Sequence, residues 1–417
     1  MRILVIGSGA REHAIIARLL EEAEEHEIIC APGNAGIAAV ADTVSLDSTN
    51  GAVVADFAVD NNVQLVVIGP EAPLVAGVAD AVRRRGIPVF GPAKSAARLE
   101  GSKTFAKQIM DAANVPTARS VHAGTLQDAE AALDALGAPY VVKADGLAAG
   151  KGVLVTSDRD AALAHAEFWL GHGGVLMEEF LEGPEVSLFF LSDGDTVRAL
   201  TPAQDFKRLL DNDEGPNTGG MGAYSPLPWL PDGFVQEVTE RVAEPVIRQL
   251  ELEGSPYIGL LYCGLVITPS GVKVIEFNAR FGDPETQVVL PRLVSPLSAL
   301  LFATANGSLE NLPAPEFSDE ACVTVVLASE GYPDAAVTGR TITGLAEAEA
   351  VEGVHLAHAA TARTDDGAVV AMGGRVLSVV ARGADLAEAR ERAYRALGEL
   401  ELEGGQFRTD IALKAAE

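Results

Sequence analysis

The chain begins Met1-Arg-Ile-Leu-Val-Ile-Gly-Ser-Gly-Ala-Arg-Glu-His13. The apolar run Ile3 to Ile6, the glycine turn behind it and the helical spacing over 11–25 form a strand–turn–helix unit, the usual opening of a parallel α/β sheet. Further strands are expected at 27–31, 63–68 and 88–90, with 77–85 in a helix. Alternation of this kind over roughly the first 100 residues predicts a doubly wound half-domain.

The 417 residues exceed one hydrophobic core and imply about two to four domains. With 48% apolar and 22% charged residues the chain has the balance of a folded protein. Its net charge of −28 repels polyanions, which argues against a nucleic-acid partner. The N-terminal apolar run is too short for a signal peptide, and no run of about 18 apolar residues offers a membrane span. Cys30, Cys263 and Cys322 lie far apart and form no C-x-x-C, so they are expected as buried, reduced thiols in a cytoplasmic protein.

Beyond Gly91-Pro92 a polar helix is expected at 102–114, then strands at 140–143, 153–156 and 175–178 around a helix at 160–170. A long loop rich in Gly, Pro and Asn runs over 205–228, and such loops are more often functional than idle. A helix at 234–250 and strands at 264–268 and 273–277 follow. After the linker Asn311-Leu-Pro-Ala-Pro-Glu, strands at 323–328 and 376–381 and a helix at 386–400 suffice for a small α+β module.

Gly7-Ser8-Gly9-Ala10-Arg11-Glu12 sits where glycines let a phosphate approach the N–H groups of a helix start. It is an incomplete dinucleotide fingerprint: Glu12 stands in place of the third glycine, and the second strand ends in Ala31-Pro-Gly rather than in an acid. A monophosphate or sugar phosphate suits it better than a nicotinamide cofactor, and a purely structural turn stays open. Pro32-Gly-Asn-Ala-Gly36 and Gly69-Pro-Glu-Ala-Pro73 follow later strands, at the end of a parallel sheet where ligands bind. Each alone is a turn.

Only eight lysines occur, so their placement is informative. Lys143 ends an apolar strand and leads into Ala144-Asp-Gly-Leu-Ala-Ala-Gly-Lys-Gly152, a flexible loop that lets backbone near a phosphate beside a cation. Val175-Leu-Met-Glu-Glu-Phe-Leu-Glu-Gly-Pro-Glu185 ends a strand in acids able to accept from ribose hydroxyls, although solvated acids are common in so acidic a chain. The sharpest stretch is Val274-Ile-Glu-Phe-Asn-Ala-Arg-Phe-Gly-Asp-Pro-Glu-Thr-Gln287. Strand alternation puts Glu276, Asn278 and Arg280 on one face, where a carboxylate, an amide oxygen and a guanidinium can hold Mg²⁺ and neutralise a transferring phosphoryl group. A plain salt-bridged face is the alternative. None of the seven histidines, among them His13, His355 and His358, has metal-site spacing.

Taken in order, GSGAREH, PGNAG, GPEAPLVAGV, LEGSKTFAK, VVKADGLAAGKGV, EEFLEGPEVS, GPNTGGMGAYSP, VIEFNARFGDPETQ, GGRVLSV and FRTDI closely resemble the ATP-grasp ligases, and among them the phosphoribosylamine–glycine ligase (glycinamide ribonucleotide synthetase) family. The resemblance implies a doubly wound N-terminal substrate domain at 1–101, an ATP-grasp domain at 102–312 with a lid at about 117–180, and a C-terminal α+β domain at 313–417. It implies an ATP-dependent carbon–nitrogen ligase of purine biosynthesis that joins glycine to 5-phosphoribosylamine through a glycyl phosphate. Carried onto matching positions, Lys103, Lys143 and Gly150 would serve the ATP phosphates, Glu178, Glu179 and Leu181 the adenine, and Glu185 the ribose. Glu276 and Asn278 would hold Mg²⁺ or Mn²⁺, Arg280 would stabilise the acyl phosphate with Lys143 as its catalytic partner, and Gly9, Asn34, Lys207 and Asp283 would face substrate. A monomer acting on small molecules, with neither nucleic acid nor membrane as partner, is expected.

Two positions depart from the family. Gly264 stands where related enzymes often carry a further metal-binding acid, and Phe206 replaces the usual His of QDHKR. Another ATP-grasp carboxylate–amine ligase or carboxylase, a nucleotide-sensing regulator and a nicotinamide dehydrogenase are the competing readings.

Overall fold

The computed structural model describes residues 1–147 and 152–417. Gly150 and Lys151, both expected at the phosphates, lie outside the described residues.

The opening unit folds as its pattern predicts. Strand Arg2–Gly7 feeds helix Ala10–Leu20, and the helix ends at Leu20, five residues before the expected limit. Five parallel strands line up in the order Asp42–Thr43, Glu27–Pro32, Arg2–Gly7, Leu65–Ile68, Val89–Phe90. Chain order reverses at Arg2–Gly7, so the loops after Gly7 and Ile68 flank the crevice where open parallel sheets bind ligands.

Two antiparallel sheets follow. One holds Ser120–Ala123, Val175–Glu179, Tyr140–Ala144 and Val153–Thr156 in that order. The other holds Val197–Ala199, Glu185–Asp193, Ile258–Thr268 and Gly271–Asn278. The chain passes between them through 180–184, where Gly183 (φ +153°) is required because a side chain there would collide with the Ile267 carbonyl. In the second sheet the register slips: Gly264 faces Glu276 but Leu265 faces Val274, leaving Ile275 as a bulge. The bulge turns Glu276 and Asn278 off the face on which Val272 and Val274 are buried.

The stretch 205–228 is not the loop that its composition suggests. It contains strands Gln204–Asp205, Arg208–Leu210, Glu214–Asn217 and Gly222–Ser225. Gly222–Ser225 pairs with Ala321–Ala328, a partner about 100 residues away in the chain that local composition cannot announce. That sheet runs on through Arg375–Gly383 to Val354–His358, so C-terminal strands complete it. The helix expected at 234–250 is also broken, by a π-helical turn at Thr239–Ala243. Cys30, Cys263 and Cys322 are buried and unpaired. Among the described residues no helix is long and apolar enough to cross a membrane.

Candidate active site

Lys143 sits on the central strand of the first antiparallel sheet, and strand alternation puts it on the same face as Glu178 of the neighbouring strand. The Lys143 Nζ lies 2.6 Å from Glu178 Oε2 and donates to the Ile275 carbonyl at 3.1 Å. The bulge in the facing sheet supplies that carbonyl. Lys107 meets the other Glu178 oxygen at 2.8 Å. Lys143 and Glu178 are only 5% and 4% exposed, and at that burial a carboxylate with one cation too many leaves net positive charge in the cleft. Burial alone would raise the Glu178 carboxyl, but Lys143 and Lys107 outweigh it and hold it below the usual range. Lys103, at the start of helix Lys103–Ala112, donates to the Gly146 carbonyl at 3.0 Å, and burial pulls its ammonium below the ordinary lysine range. Three cations thus line one wall.

The opposite wall carries Glu276 and Asn278. Among the described residues neither side chain has a hydrogen-bond or ion-pair partner within the protein. Burial pushes the Glu276 carboxyl up, but Lys207, Lys143, Lys103 and Arg280 together prevail and keep it ionised. Gly264 lies opposite Glu276, and a side chain there would begin 3.1 Å from Glu276 Cγ, so no acid is offered from that strand. Two hard oxygen donors remain, which fits Mg²⁺, an ion that keeps waters and shares substrate phosphates with one or two protein ligands. Among the described residues no cluster of three His, Cys, Asp or Glu forms a metal site.

Arg280 does form salt bridges, but not with Glu276. Its Nη2 is 3.0 Å from Glu100 and its Nε 3.2 Å from Glu71, which follows Gly69-Pro70 and starts the helix Glu71–Ala76. The Glu100 carboxylate also accepts from Ala279 N at 2.7 Å. This brace ties the turn after strand Gly271–Asn278 to the N-terminal domain. Arg11 donates to the Phe281 carbonyl at 3.3 Å, and a side-chain carbon at Gly9 would stand 3.5 Å from Asp283 Oδ2. The N-terminal crevice and the central cleft therefore meet at residues 280–283.

At the glycine turn the protein supplies its own anion. Glu12 accepts from Gly9 N and from Arg11 Nε, both at 2.6 Å, and side chains at Gly7 or Gly69 would collide with its carboxyl group. The Gly9 N–H expected at a phosphate is already bonded. Asn34 is likewise committed: its amide nitrogen donates to the Ser8 and His358 carbonyls at 2.9 and 2.7 Å, and its oxygen accepts from Gly36 and Ile37 N–H. Its side chain ties three loops together and has no hydrogen bond left for ribose hydroxyls.

The acids after Val175 divide. Glu178 holds the two lysines rather than facing outward. The Glu179 carboxylate joins the two sheets through Arg119 Nε (2.7 Å) and Lys273 (3.3 Å), and against the opposing pull of burial these bonds bring it to about 2. Leu181 lies half-buried in the connection between the sheets. Glu185 is exposed and accepts from Lys207 Nζ at 2.5 Å.

Several site residues escaped sequence reasoning. Asp205 lies 3.9 Å from Lys207, and burial, aided by Glu285 and Glu185 against the pull of Lys207, lifts its carboxyl to about 7. Glu285 is buried and accepts from Tyr262 at 2.6 Å. Arg375 donates to the Gly219 and Asp283 carbonyls at 2.6 and 2.7 Å and faces the Asp283 carboxylate at 3.5 Å. Its only signal was its place in GGRVLSV.

Three family models match the chain in succession: the phosphoribosylglycinamide synthetase N domain over residues 1–100, the ATP-grasp (A) domain over 101–286 and the C domain over 322–414. A phosphoribosylamine–glycine ligase of Leifsonia xyli is 67% identical over the whole of both chains, and one of Streptomyces coelicolor 59%. The crystal structure of a Thermotoga maritima phosphoribosylamine–glycine ligase superposes with a TM-score of 0.85 at 32% identity, covering 99% of this chain and 100% of that one. A biotin carboxylase domain from Hydrogenobacter thermophilus shares the fold alone, with a TM-score of 0.74 at 16% identity over 97% of this chain and 91% of that one.

Proposed function

The chain belongs to the phosphoribosylglycinamide synthetase family, and from that premise we propose how its residues join glycine to 5-phosphoribosylamine with ATP. It is an ATP-dependent carbon–nitrogen ligase of purine biosynthesis. A glycine carboxylate oxygen takes the γ-phosphoryl group of ATP, giving glycyl phosphate and ADP. The amine of phosphoribosylamine then attacks the acyl carbon, phosphate leaves, and the nitrogen sheds a proton. No protein nucleophile is needed, so positioning and charge neutralisation are the catalyst.

One observation carries this assignment: in a cleft between two antiparallel sheets, Lys143 and Lys107 share the single buried carboxylate Glu178 at 2.6 and 2.8 Å, and Lys143 reaches the Ile275 carbonyl beside Glu276 and Asn278, which have no protein partner among the described residues. Lys103 and Lys143 hold the ATP phosphates, with Glu178 and Lys107 fixing Lys143. Glu276 and Asn278 would hold Mg²⁺ or Mn²⁺, which would offset the negative charge of the phosphate oxygens. The adenine rests against the connection at 179–182, where Leu181 lies, and Glu185 faces the ribose. Arg280, aimed by Glu71 and Glu100, faces the acyl phosphate. Phosphoribosylamine occupies the N-terminal crevice with Gly9 at its floor, Asn34 holding the loops in place, and Asp283 and Lys207 on the side of the cleft. Three buried, unpaired thiols suit a reducing cytoplasm.

The test is ADP release with glycine and phosphoribosylamine supplied separately and together. Full turnover only with both supports the reading. Equal turnover with bicarbonate or with another carboxylate–amine pair would replace it by a different ATP-grasp ligase or carboxylase.

A further inference from the structure

The segment Phe407-Arg-Thr-Asp-Ile411, near the C-terminus, touches none of the groups above, yet it contains Arg408, the largest of the fully buried side chains at 1% exposure. A guanidinium is that deeply buried only when its donors are satisfied. Arg408 forms a fork with Asp410 (Nε–Oδ1 and Nη2–Oδ2, both 2.7 Å), and its Nη1 donates to Asp213 at 2.8 Å and to the Arg208 carbonyl at 3.2 Å. Its face lies 4.9 Å from the centre of the Phe206 ring, within cation–π range.

The neighbours of Arg408 grip the same hairpin. Thr409 donates through its N–H and its hydroxyl to Asp211, at 2.7 and 2.5 Å, and Asp410 accepts from Asn212 N at 2.8 Å. Helix Leu386–Leu397 backs the segment: Tyr394 donates to the Arg408 carbonyl and Arg390 to the Thr409 carbonyl. Apart from the Arg408–Asp410 fork and the bonds from the helix, these contacts land on residues 206–213, which flank Lys207 on both sides. Lys207 itself reaches the other way, to Glu185 and toward Asp205.

We propose that residues 407–411 are a latch that holds the 204–217 hairpin in its site-facing conformation, with Arg408 as the positioning residue for Lys207. Phe206 fits this arrangement, because a ring that cannot become a cation is the safer neighbour for a buried guanidinium. The inference rests on the function proposed above, in which Lys207 serves the cleft.

A double-mutant cycle in the full chain tests it. Arg408→Met should lower the rate of ADP release about tenfold in the otherwise unaltered enzyme and less than about twofold in a Lys207→Met background, since a misplaced lysine and an absent one are equivalent. Arg408→Lys keeps the charge but not the fork or the stacking, so it should restore only part of the rate. Amide exchange at 206–217 should accelerate in Arg408→Met while strands Ile258–Thr268 and Gly271–Asn278 stay protected. Should Arg408→Met not fold, Thr409→Val, which removes only a surface bond to Asp211, enters the same cycle with a smaller effect in the same direction. Equal fold-losses in both backgrounds, or unchanged exchange at 206–217, would overturn the latch. A wild-type enzyme that ignores glycine and phosphoribosylamine would overturn the functional reading while leaving the exchange result standing.

Discussion

The N-terminal crevice and the central cleft treat their polar side chains in opposite ways. At the crevice both Glu12 oxygens and all four hydrogen-bonding positions of Asn34 are engaged by the protein, and the loops offer backbone and shape. In the cleft, Glu276 and Asn278 have no such partner among the described residues, and the facing lysines outnumber the carboxylate they share. A saturated network sets geometry before a substrate arrives; an unsaturated one is completed by the substrate and its metal. Substitution should therefore separate the two regions, with cleft variants losing turnover while folded and crevice variants losing stability and affinity for one substrate.

The largest effect is expected at the metal-facing pair. Glu276→Gln removes a charge and Asn278→Ala a hard oxygen donor, and each should reduce ADP release at limiting Mg²⁺ on the order of a hundredfold with an unchanged melting temperature. Near-normal turnover in both at limiting Mg²⁺ would dissolve the contrast, because the cleft would then be as self-sufficient as the crevice. Lys143→Ala comes next, at roughly 1.5 to 3 kcal/mol in nucleotide binding or phosphoryl transfer, the range for a charge-assisted hydrogen bond. Lys107 stays beside Glu178 in that variant, so the carboxylate is not stranded. Nucleotide titration and single-turnover rates report the two contributions separately.

On the crevice side, Asn34→Leu preserves size and removes bonds to Ser8, Gly36, Ile37 and His358. About 2 kcal/mol of stability should go with them, and the Michaelis constant for phosphoribosylamine should rise while ATP affinity holds. Calorimetry with a saturation series in each substrate checks both halves. A fall in ATP affinity alone would mean that these loops belong to the nucleotide.

The difference between the regions also explains what the sequence conveyed. Local features were readable: the strand–turn–helix start, the scarcity of lysine, and the alternation that groups Glu276 with Asn278. Features that depend on a distant partner were not. The bulge at Ile275 arises from pairing with Gly264 and Leu265, and nothing in VIEFNAR marks it. Arg280 could be placed at the cleft, but its partners Glu71 and Glu100 lie some 180 to 210 residues earlier in the chain. Asn34 looked available because an asparagine in a glycine loop can equally serve a ligand or its own loop, and only the approach of His358 from the C-terminal strands decides which. Strands Gln204–Asp205 and Gly222–Ser225 were hidden for the same reason, since their sheet is completed by residues beyond 320.

The smallest effect concerns three histidines packed where the crevice meets those C-terminal strands. His13 lies edge-on to His355 at 5.3 Å and near His358 at 5.7 Å. Burial, reinforced by the neighbouring imidazoles, lowers His13 to about 3 and His358 to about 4, and burial with Arg382 nearby lowers His355. All three folded values lie below the ordinary histidine value of 6.5. The unfolded chain therefore binds more protons below that pH, and the stability that the cluster confers is complete above it and drains away as pH falls toward the folded values. By pH 6 the loss should be about 1 kcal/mol for each of His13 and His358. The three rings differ in what they hold. His13 Nδ1 accepts from His358 N at 2.8 Å and His358 Nδ1 meets Thr361 at 3.0 Å, whereas His355 Nε2 is buried with no partner among the described residues. His355→Phe keeps an aromatic edge against His13, leaves no Nε2 unsatisfied and removes a group that must stay neutral. It should leave the protein as stable as before at pH 8, flatten the decline of melting temperature between pH 7 and 5, and leave ADP release at pH 8 untouched. A steeper decline than in the unsubstituted protein would mean that His355 supplies a bond the cluster needs, which would extend to this corner the saturated bonding found at Glu12 and Asn34.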